Sequence, residues 1–235
     1  MYSARIVLIT GASRGVGLEL VKYFLEKNAT VIGLSRGASD IVHDRYTHFS
    51  VDLSKSDDII HCFKKEISKK FSKIDIVINN AAVLTSQYSM IMPPGNVMDM
   101  INVNLAAVFF VSREAAKLMR KNSYGRIINI GSMAASLEPI GDSVYAACKA
   151  GIITMANVMA KEFSSMKITC NTLGITAIKT DMLSQLPVHK IDEIISKLPV
   201  PRYAEPDDIF NVIDFFASER SSYITAQVVY LGGIN

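Results

Sequence analysis

The chain has 235 residues, of which 49% are hydrophobic and 20% charged, and its formal net charge is +3. This composition excludes a disordered or fibrous chain, and the length fits one large α/β domain or two small ones. The weak, evenly spread charge gives no reason to expect a nucleic-acid partner. We predict a single domain over residues 1–235.

Short β-branched segments alternate with longer helical patterns along nearly the whole chain. This alternation is typical of βαβ units in a parallel sheet. Predicted strands cover residues 5–10, 29–35, 47–52, 74–80, 125–131, 167–173 and 227–232. Predicted helices cover residues 18–27, 57–70, 96–120, 144–163 and 206–218. The pattern therefore predicts an α/β fold, a doubly wound parallel sheet of about seven strands with helices on both faces.

The first predicted strand runs directly into the sequence TGASRGVG. Gly11, Gly15 and Gly17 allow the backbone to turn tightly and to approach a pyrophosphate, whose charge then faces the N-terminus of the next helix. A glycine-rich turn alone is weak evidence, because ordinary turns also use glycine. Its position between a first strand and a helix favours dinucleotide binding.

The sequence YAACK places Tyr145 and Lys149 four residues apart, on one face of a predicted helix. A cation beside a tyrosine favours the phenolate and lowers the pKa of the hydroxyl from its ordinary value of ~10. The pair therefore has the composition of a general acid/base. Taken alone, the pattern is more often a helix that merely carries a tyrosine and a lysine within reach of each other.

The segment of residues 182–202 is the least regular part of the chain. Pro187, Pro199 and Pro201 interrupt any long helix there. We therefore predict a lid-like segment beside the substrate.

Three cysteines and four histidines lack the paired spacing of a zinc site, so we predict no metal. Cys62, Cys148 and Cys170 are interpreted as reduced thiols in a reducing compartment. The apolar run after Arg5 covers only residues 6–9 before the glycines begin, which is too short for a secretory signal. No continuous apolar run approaches the ~18 residues of a membrane span. We expect a cytoplasmic protein with no membrane partner.

Several motifs occur together in the order and spacing of the short-chain dehydrogenase/reductase family, which the chain resembles along almost its whole length. They are TGASRGVG, NNAA (residues 79–82), Asn104, INIGS (residues 128–132), YAACK and, near the end, ITAQVVYLGG. Within the family the sequence is most similar to the 3-oxoacyl-acyl-carrier-protein reductase branch. The resemblance implies a Rossmann-type fold and a homotetramer, and the long apolar helices 96–120 and 144–163 also favour an oligomer.

The resemblance further implies a catalytic set of Asn104, Ser132, Tyr145 and Lys149. Tyr145 would be the acid/base, and Lys149 would lower its pKa and hold the nicotinamide ribose. Ser132 would hydrogen-bond the substrate oxygen, and Asn104 would hold a water that connects Lys149 to solvent. These groups suffice to protonate the alkoxide that forms when hydride reaches a carbonyl carbon.

Charge predicts the choice of cofactor, because NADP carries a 2′-phosphate where NAD has a hydroxyl. The second strand ends in LSRG, where Arg36 can fork onto a phosphate and no carboxylate is available for a hydroxyl. Arg14 adds a second cation, so the sequence favours NADP(H); two solvated surface arginines are the alternative. The resemblance implies further cofactor contacts at Ser13, Val16, Asp52, Leu53, Asn80, Ala81, Ile178 and Thr180.

Three features depart from the family pattern. Ala82 stands where the family has glycine, and Ile175 and Thr176 replace a Pro-Gly pair after the sixth strand. Only fifteen residues separate Arg36 from Asp52, which leaves little room for the usual second helix. We expect an open adenine pocket.

Three functions stay open from the sequence. The leading one is an NADPH-dependent carbonyl reductase, reversibly an alcohol dehydrogenase, acting on a small-molecule carbonyl such as a 3-oxoacyl thioester, free or bound to a carrier protein. The second is a pathway oxidoreductase on a sugar or other polar metabolite. The third is a non-catalytic NADP-binding sensor. Intact Ser132, Tyr145 and Lys149 argue against a sensor, which needs no proton donor.

Overall fold

The structure is a computed structural model that describes residues 2–180, 183 and 188–234. Its centre is one sheet of seven parallel strands in the order β3-β2-β1-β4-β5-β6-β7. The strands are β1 (Ile6–Thr10), β2 (Thr30–Ser35), β3 (Tyr46–Ser50), β4 (Ile76–Asn79), β5 (Gly125–Ser132), β6 (Ile168–Ile175) and β7 (Val228–Tyr230). The predicted fold is confirmed, and each predicted strand matches an observed one.

Helices connect successive strands, except β2 and β3. They are α1 (Gly15–Glu26), α2 (Ser56–Cys62), α3 (Ser68–Lys70), α4 (Pro94–Ile101), α5 (Ala107–Met119), α6 (Ala134–Leu137), α7 (Ser143–Phe163), α8 (Val188–Ser196) and α9 (Pro206–Ala217). Two π-helical segments, Phe63–Ile67 and Asn102–Ala106, join α2 to α3 and α4 to α5. Each predicted long helix at these places is thus continuous but contains one wider turn.

The sheet is buried on both faces, as its nearly continuous apolar strands predict. On one face, side chains of α2, α5 and α7 pack against the strands, as Ile59, Val111 and Ala156 illustrate. On the other face α1 and α9 contribute the core, with Phe24 and Phe216 fully buried. The three layers leave the carboxyl ends of the strands as one edge.

The order of the strands creates a crevice at that edge. From β1 the chain moves outward through β2 to β3, then returns to place β4 on the other side of β1 and continues to β7. Loops that follow β1 and β4 therefore leave the sheet in opposite directions. Ligands of doubly wound folds bind at such a switch point.

The described part of the segment 182–202 contains α8, a helix of nine residues. In the sequence Pro187 precedes α8 and Pro199 follows it, which agrees with the prediction that the prolines exclude a long helix here. Residues 182 and 184–187 lie outside the described residues. The lid-like role stays a prediction.

Two helical stretches, Pro94–Asn122 and Ser143–Met166, have the length and mean hydropathy of a membrane span, at 1.3 and 1.2. Core helices of globular proteins have the same properties. In this structure both stretches pack one face against the sheet.

The described residues 37–45, between β2 and β3, contain no helix, as the short spacing predicted.

Candidate active site

A cavity of about 670 Å³ opens at the switch point, along the carboxyl ends of the strands. Its walls come from the segments that follow β1 to β6, together with α7 and α8. Of the predicted cofactor residues, all but Gly17 line this cavity. The topology therefore brings together motifs that lie up to about 170 residues apart in sequence.

The glycine turn closes tightly beneath the cavity. Gly11 and Gly15 adopt φ angles of 69° and 55°, in the region that favours glycine. A Cβ on Gly17 would lie 2.1 Å from the carbonyl oxygen of Gly11, so only glycine allows α1 to approach the turn this closely. Gly17 lies behind the lining of the cavity.

Hydrogen bonds join this turn to the end of β4. Thr10 Oγ1 accepts from the backbone N–H groups of Asn80 and Ala81, both at 3.0 Å, and Asn80 Nδ2 donates to the Thr10 carbonyl at 3.0 Å. Gly11 N–H in turn donates to the Leu34 carbonyl of β2 at 2.8 Å. These hydrogen bonds thus hold the carboxyl ends of β1, β2 and β4 together beneath the cavity.

Two arginines and a carboxylate stand at the end of the cavity nearest β2 and β3. Arg14 and Arg36 are exposed, line the cavity and form no ion pair among the described residues. The Ser54 hydroxyl donates a hydrogen bond of 2.7 Å to the Asp52 carboxylate. This bond is the main reason why the pKa of Asp52 is lowered. The charge offered to a ligand at this end is positive.

Ser132, Tyr145 and Lys149 meet at the opposite end of the cavity. Ser132 ends β5, and the other two lie on one face of α7, where Tyr145 is 9% and Lys149 2% exposed. The Ser132 hydroxyl lies near enough to the Tyr145 hydroxyl to lower its pKa, and Lys149 Nζ donates to the Ile130 carbonyl at 2.8 Å. The Ile130 bond fixes α7 against β5.

The expectation that Lys149 lowers the pKa of Tyr145 does not hold in this structure. Burial raises the pKa of Tyr145 to about 12, although the Ser132 hydrogen bond opposes the shift. Burial also lowers the pKa of Lys149 to about 8. Lys149 Nζ lies 5.6 Å from the centroid of the Tyr145 ring, and desolvation outweighs any attraction between the two.

Asn104 lies behind the cavity wall. It is fully buried in the π-helical segment between α4 and α5. Its amide accepts from the Val83 N–H at 2.9 Å and donates to the Val83 carbonyl at 2.8 Å. The side chain therefore fixes the segment that follows β4.

The altered segment after β6 has a definite path. Ile175 continues β6 as its last residue and accepts the Met133 N–H at 2.9 Å. The Ala204 N–H donates to the Ala177 carbonyl at 2.8 Å, and Ile178 and Ala204 form an isolated parallel β-bridge. This path keeps the predicted residues Ile178 and Thr180 on the cavity wall.

Comparison with known proteins agrees with this geometry. The family model for short chain dehydrogenases matches residues 5–190. The chain belongs to the short-chain dehydrogenase family. A 3-oxoacyl-[acyl-carrier-protein] reductase of Vibrio cholerae is 31% identical over 235 aligned residues, covering 97% of this chain and 96% of the relative. The enzyme of the same name from Chlamydia pneumoniae is 35% identical, with 97% and 95% covered.

Solved structures extend the likeness to the whole fold. A 4-hydroxyisoleucine dehydrogenase complexed with NADH superposes on this chain with a TM-score of 0.91 at 28% identity, covering 98% of each chain. The protein is thus an oxidoreductase of the short-chain dehydrogenase family.

Sequence reasoning missed the substrate side of this short-chain dehydrogenase cavity. Its described wall beyond Ser132 and Tyr145 is largely apolar, comprising Val83, Leu84, Met133, Ala134, Leu137, Pro139, Ala177, Leu183 and Ile194. Asp142, three residues before Tyr145, is a buried carboxylate on the same wall and contributes to the raised pKa of Tyr145. Its spacing from Tyr145, just short of one helical turn, was the only sequence signal.

Proposed function

We propose that this protein is an NADP(H)-dependent carbonyl reductase, reversibly an alcohol dehydrogenase, whose substrate carries its carbonyl on an apolar chain, as a 3-oxoacyl thioester does. The observation that carries the proposal is one cavity with a serine, a tyrosine and a lysine at its apolar end and, at the other, two exposed arginines that form no ion pair with any described residue. A non-catalytic sensor would need the arginines to bind the cofactor, but it would not need the serine, the tyrosine and the lysine.

The buried hydroxyls have the chemistry that carbonyl reduction requires. Ser132 and Tyr145 hold the carbonyl oxygen, and Tyr145 gives its proton to the oxygen as negative charge develops there. When bound, the nicotinamide supplies the hydride. Because the pKa of Tyr145 is about 12, this residue is protonated at neutral pH, which is the form needed for reduction.

Lys149 supports the proton transfer from Tyr145. Its ammonium form carries three donors, which suits it to hold the ribose hydroxyls and to return a proton toward Tyr145. A pKa of about 8 lets Lys149 exchange that proton near neutrality. A water on the Asn104 backbone would continue the path to solvent.

The chain also fits the pyrophosphate and adenosine parts of the cofactor. Gly17 lets α1 pack directly against the Gly11 carbonyl, where a Cβ would collide, and the N-terminus of α1 faces the same turn, where an anion is favoured. The structural relative complexed with NADH is a case in which the same fold binds the nucleotide without a 2′-phosphate. Arg36 and Arg14 support NADP(H) here, because both are exposed at the cavity, and a guanidinium can form a fork of hydrogen bonds to a 2′-phosphate.

The apolar wall favours an acyl substrate over a sugar. A sugar carries a hydroxyl on nearly every carbon, and each would lose its water against Leu84, Leu137 or Leu183 without a partner in return. An acyl chain gains from the same burial, at about 25 cal/mol per Å². The 3-oxoacyl-[acyl-carrier-protein] reductases among the relatives agree with this choice.

A carbonyl panel with NADPH tests the proposal. We expect turnover with acetoacetyl thioesters, on coenzyme A and on acyl carrier protein, and with neutral apolar ketones. Reducing sugars should be turned over at least about a hundredfold more slowly, as expected when several hydroxyls lose their partners. Faster reduction of sugars would favour the polar-metabolite alternative, and no turnover of any carbonyl would favour the sensor.

We also propose that the chain forms a homotetramer through its long helices. Phe109 on α5 and Val158 on α7 are 40% and 48% exposed, on the stretches that are apolar enough for a membrane span. Covering such faces is a usual reason for symmetric association. Light scattering should give four times the chain mass, and Phe109→Asp should reduce it; a monomeric wild type would contradict the proposal.

A further inference from the structure

The segment that carries Arg36 is held by an imidazole from the neighbouring strand. His48 on β3 lies beside β2, with Nε2 2.8 Å from the Gly37 carbonyl and 3.3 Å from the Ser35 hydroxyl. Its other nitrogen, Nδ1, lies 2.9 Å from the Tyr46 hydroxyl. Because a carbonyl only accepts, Nε2 carries the proton, and the Tyr46 hydroxyl donates to Nδ1. The ring is therefore hydrogen-bonded at both ends.

A close approach of backbone and side chain makes this arrangement possible. The Tyr46 ring crosses β2 at Gly33, where an added Cβ would lie 2.2 Å from the Tyr46 hydroxyl. Residues 46, 48 and 50 share one face of β3, since side chains of a strand alternate. Glycine at position 33 thus admits the tyrosine that orients His48.

The same face of β3 supplies a second hydrogen bond to the segment that carries Arg36. Ser50 Oγ donates to the Arg36 carbonyl at 3.1 Å, so side chains of β3 bond both Arg36 and the next residue, Gly37. Gly37 also lies against the glycine turn, where a Cβ would be 3.5 Å from Ser13 Oγ. No helix follows Arg36 within the described residues 37–45 to support it in another way.

We propose that His48 is a positioning residue for Arg36, and that it thereby sets the preference for NADP(H) over NAD(H). The inference rests on the proposed function, in which Arg36 binds the 2′-phosphate. A fork of two hydrogen bonds requires the guanidinium to be held in direction as well as in place. Fixing the backbone before binding lowers the ordering cost of the long, exposed Arg36 side chain.

The experiment measures dissociation constants of NADPH and NADH by fluorescence titration. His48→Phe keeps a ring but removes both hydrogen bonds, and we expect NADPH to bind about tenfold more weakly, the value of one to two ordinary hydrogen bonds. NADH should change by less than about twofold, since it has no 2′-phosphate. His48→Gln restores a donor toward Gly37 and should recover most of the NADPH affinity.

Three further variants keep the result specific. Tyr46→Phe removes only the hydroxyl that orients the ring and should give a smaller loss of NADPH affinity. His61→Phe, an exposed histidine on α2, is the matched control and should change neither constant. In an Arg36→Ala background, His48→Phe should cause no further loss of NADPH binding, because the group it positions is gone.

The outcomes separate the inference from the function on which it rests. Equal wild-type affinity for NADPH and NADH would overturn the NADP(H) assignment and the inference together. If the wild type prefers NADPH and His48→Phe leaves that ratio unchanged, or weakens both cofactors alike, only the inference is overturned. Additive losses in the double variant would also overturn it, since His48 would then act elsewhere.

Discussion

The two halves of the cavity are built differently. The cofactor half is a set of strand ends joined by short polar contacts, such as the Asn80 bonds to Thr10 and the Gly11 bond to Leu34. The substrate half is assembled from α7, α8 and loops, mostly by apolar contact, and its rim is open, as the 47% exposed Leu137 illustrates. Local motifs therefore identify the cofactor half, whereas the substrate half depends on how distant segments pack.

The largest expected effect separates chemistry in one half from binding in the other. Tyr145→Phe removes the proton donor at the substrate end and should lower kcat by two or more orders of magnitude. NADPH affinity should stay within about twofold of wild type, because the strand ends that bind it are untouched. Steady-state rates and NADPH titration measure both quantities. Tyr88→Phe, at an exposed tyrosine, is the control, and near-normal turnover of Tyr145→Phe would disprove its role.

A second change should act only on the cofactor half. Arg36→Ala removes one guanidinium fork and should weaken NADPH binding about ten- to a hundredfold, with NADH almost unaffected. Competition between 2′,5′-ADP and 5′-AMP isolates the adenosine end from the nicotinamide.

Gly17→Ala provides the contrast to this variant. Its added methyl group collides with the Gly11 carbonyl, so it should weaken NADPH and NADH equally. If Arg36→Ala also weakened both cofactors equally, its role would be general support of the pocket and not recognition of the phosphate.

A third change tests the cost of burying the lysine that links the halves. Lys149→Met should raise the free energy of unfolding at pH 7 by about 1 to 3 kcal/mol while impairing activity, because an apolar side chain replaces a buried cation. The gain should shrink as pH rises from about 8 to 10.5. In that range the folded wild type holds a neutral Lys149 while the unfolded chain stays protonated, so wild-type stability rises with pH.

Urea unfolding at pH 7, 8, 9 and 10.5 measures this dependence. Lys161→Met, at an exposed lysine on the same helix, should show no such trend. A difference between wild type and Lys149→Met that is constant over the whole range would mean that Lys149 is charged in the fold throughout.

The smallest expected effect compares the two arginines of the cofactor half. Arg14→Ala should weaken NADPH binding only about two- to fivefold, because the backbone of the glycine turn still holds the pyrophosphate. The same titration compares it with Arg36→Ala. A loss as large as that of Arg36→Ala would mean that both arginines grip the 2′-phosphate.

The sequence by itself determined the strands, the glycine turn and the predicted site residues Ser132, Tyr145 and Lys149, which the fold brings to one cavity. These features depend on periodicity and on local chemistry, and parallel βαβ topology then brings strand ends together automatically. The same logic places the Asn80 segment beside Gly11, although about 70 residues separate them.

Only the tertiary structure decided the burial of Tyr145 and Lys149 and the apolar character of the cavity wall beside them. Spacing places Tyr145 beside Lys149 but carries no information on desolvation, which raises one pKa and lowers the other. Asp142 and Leu137 reach the cavity only because α6 and α7 fold across the end of β5. Likewise, His48 reaches Gly37 only through pairing of β2 with β3, because strand register is a property of two segments and not of either alone.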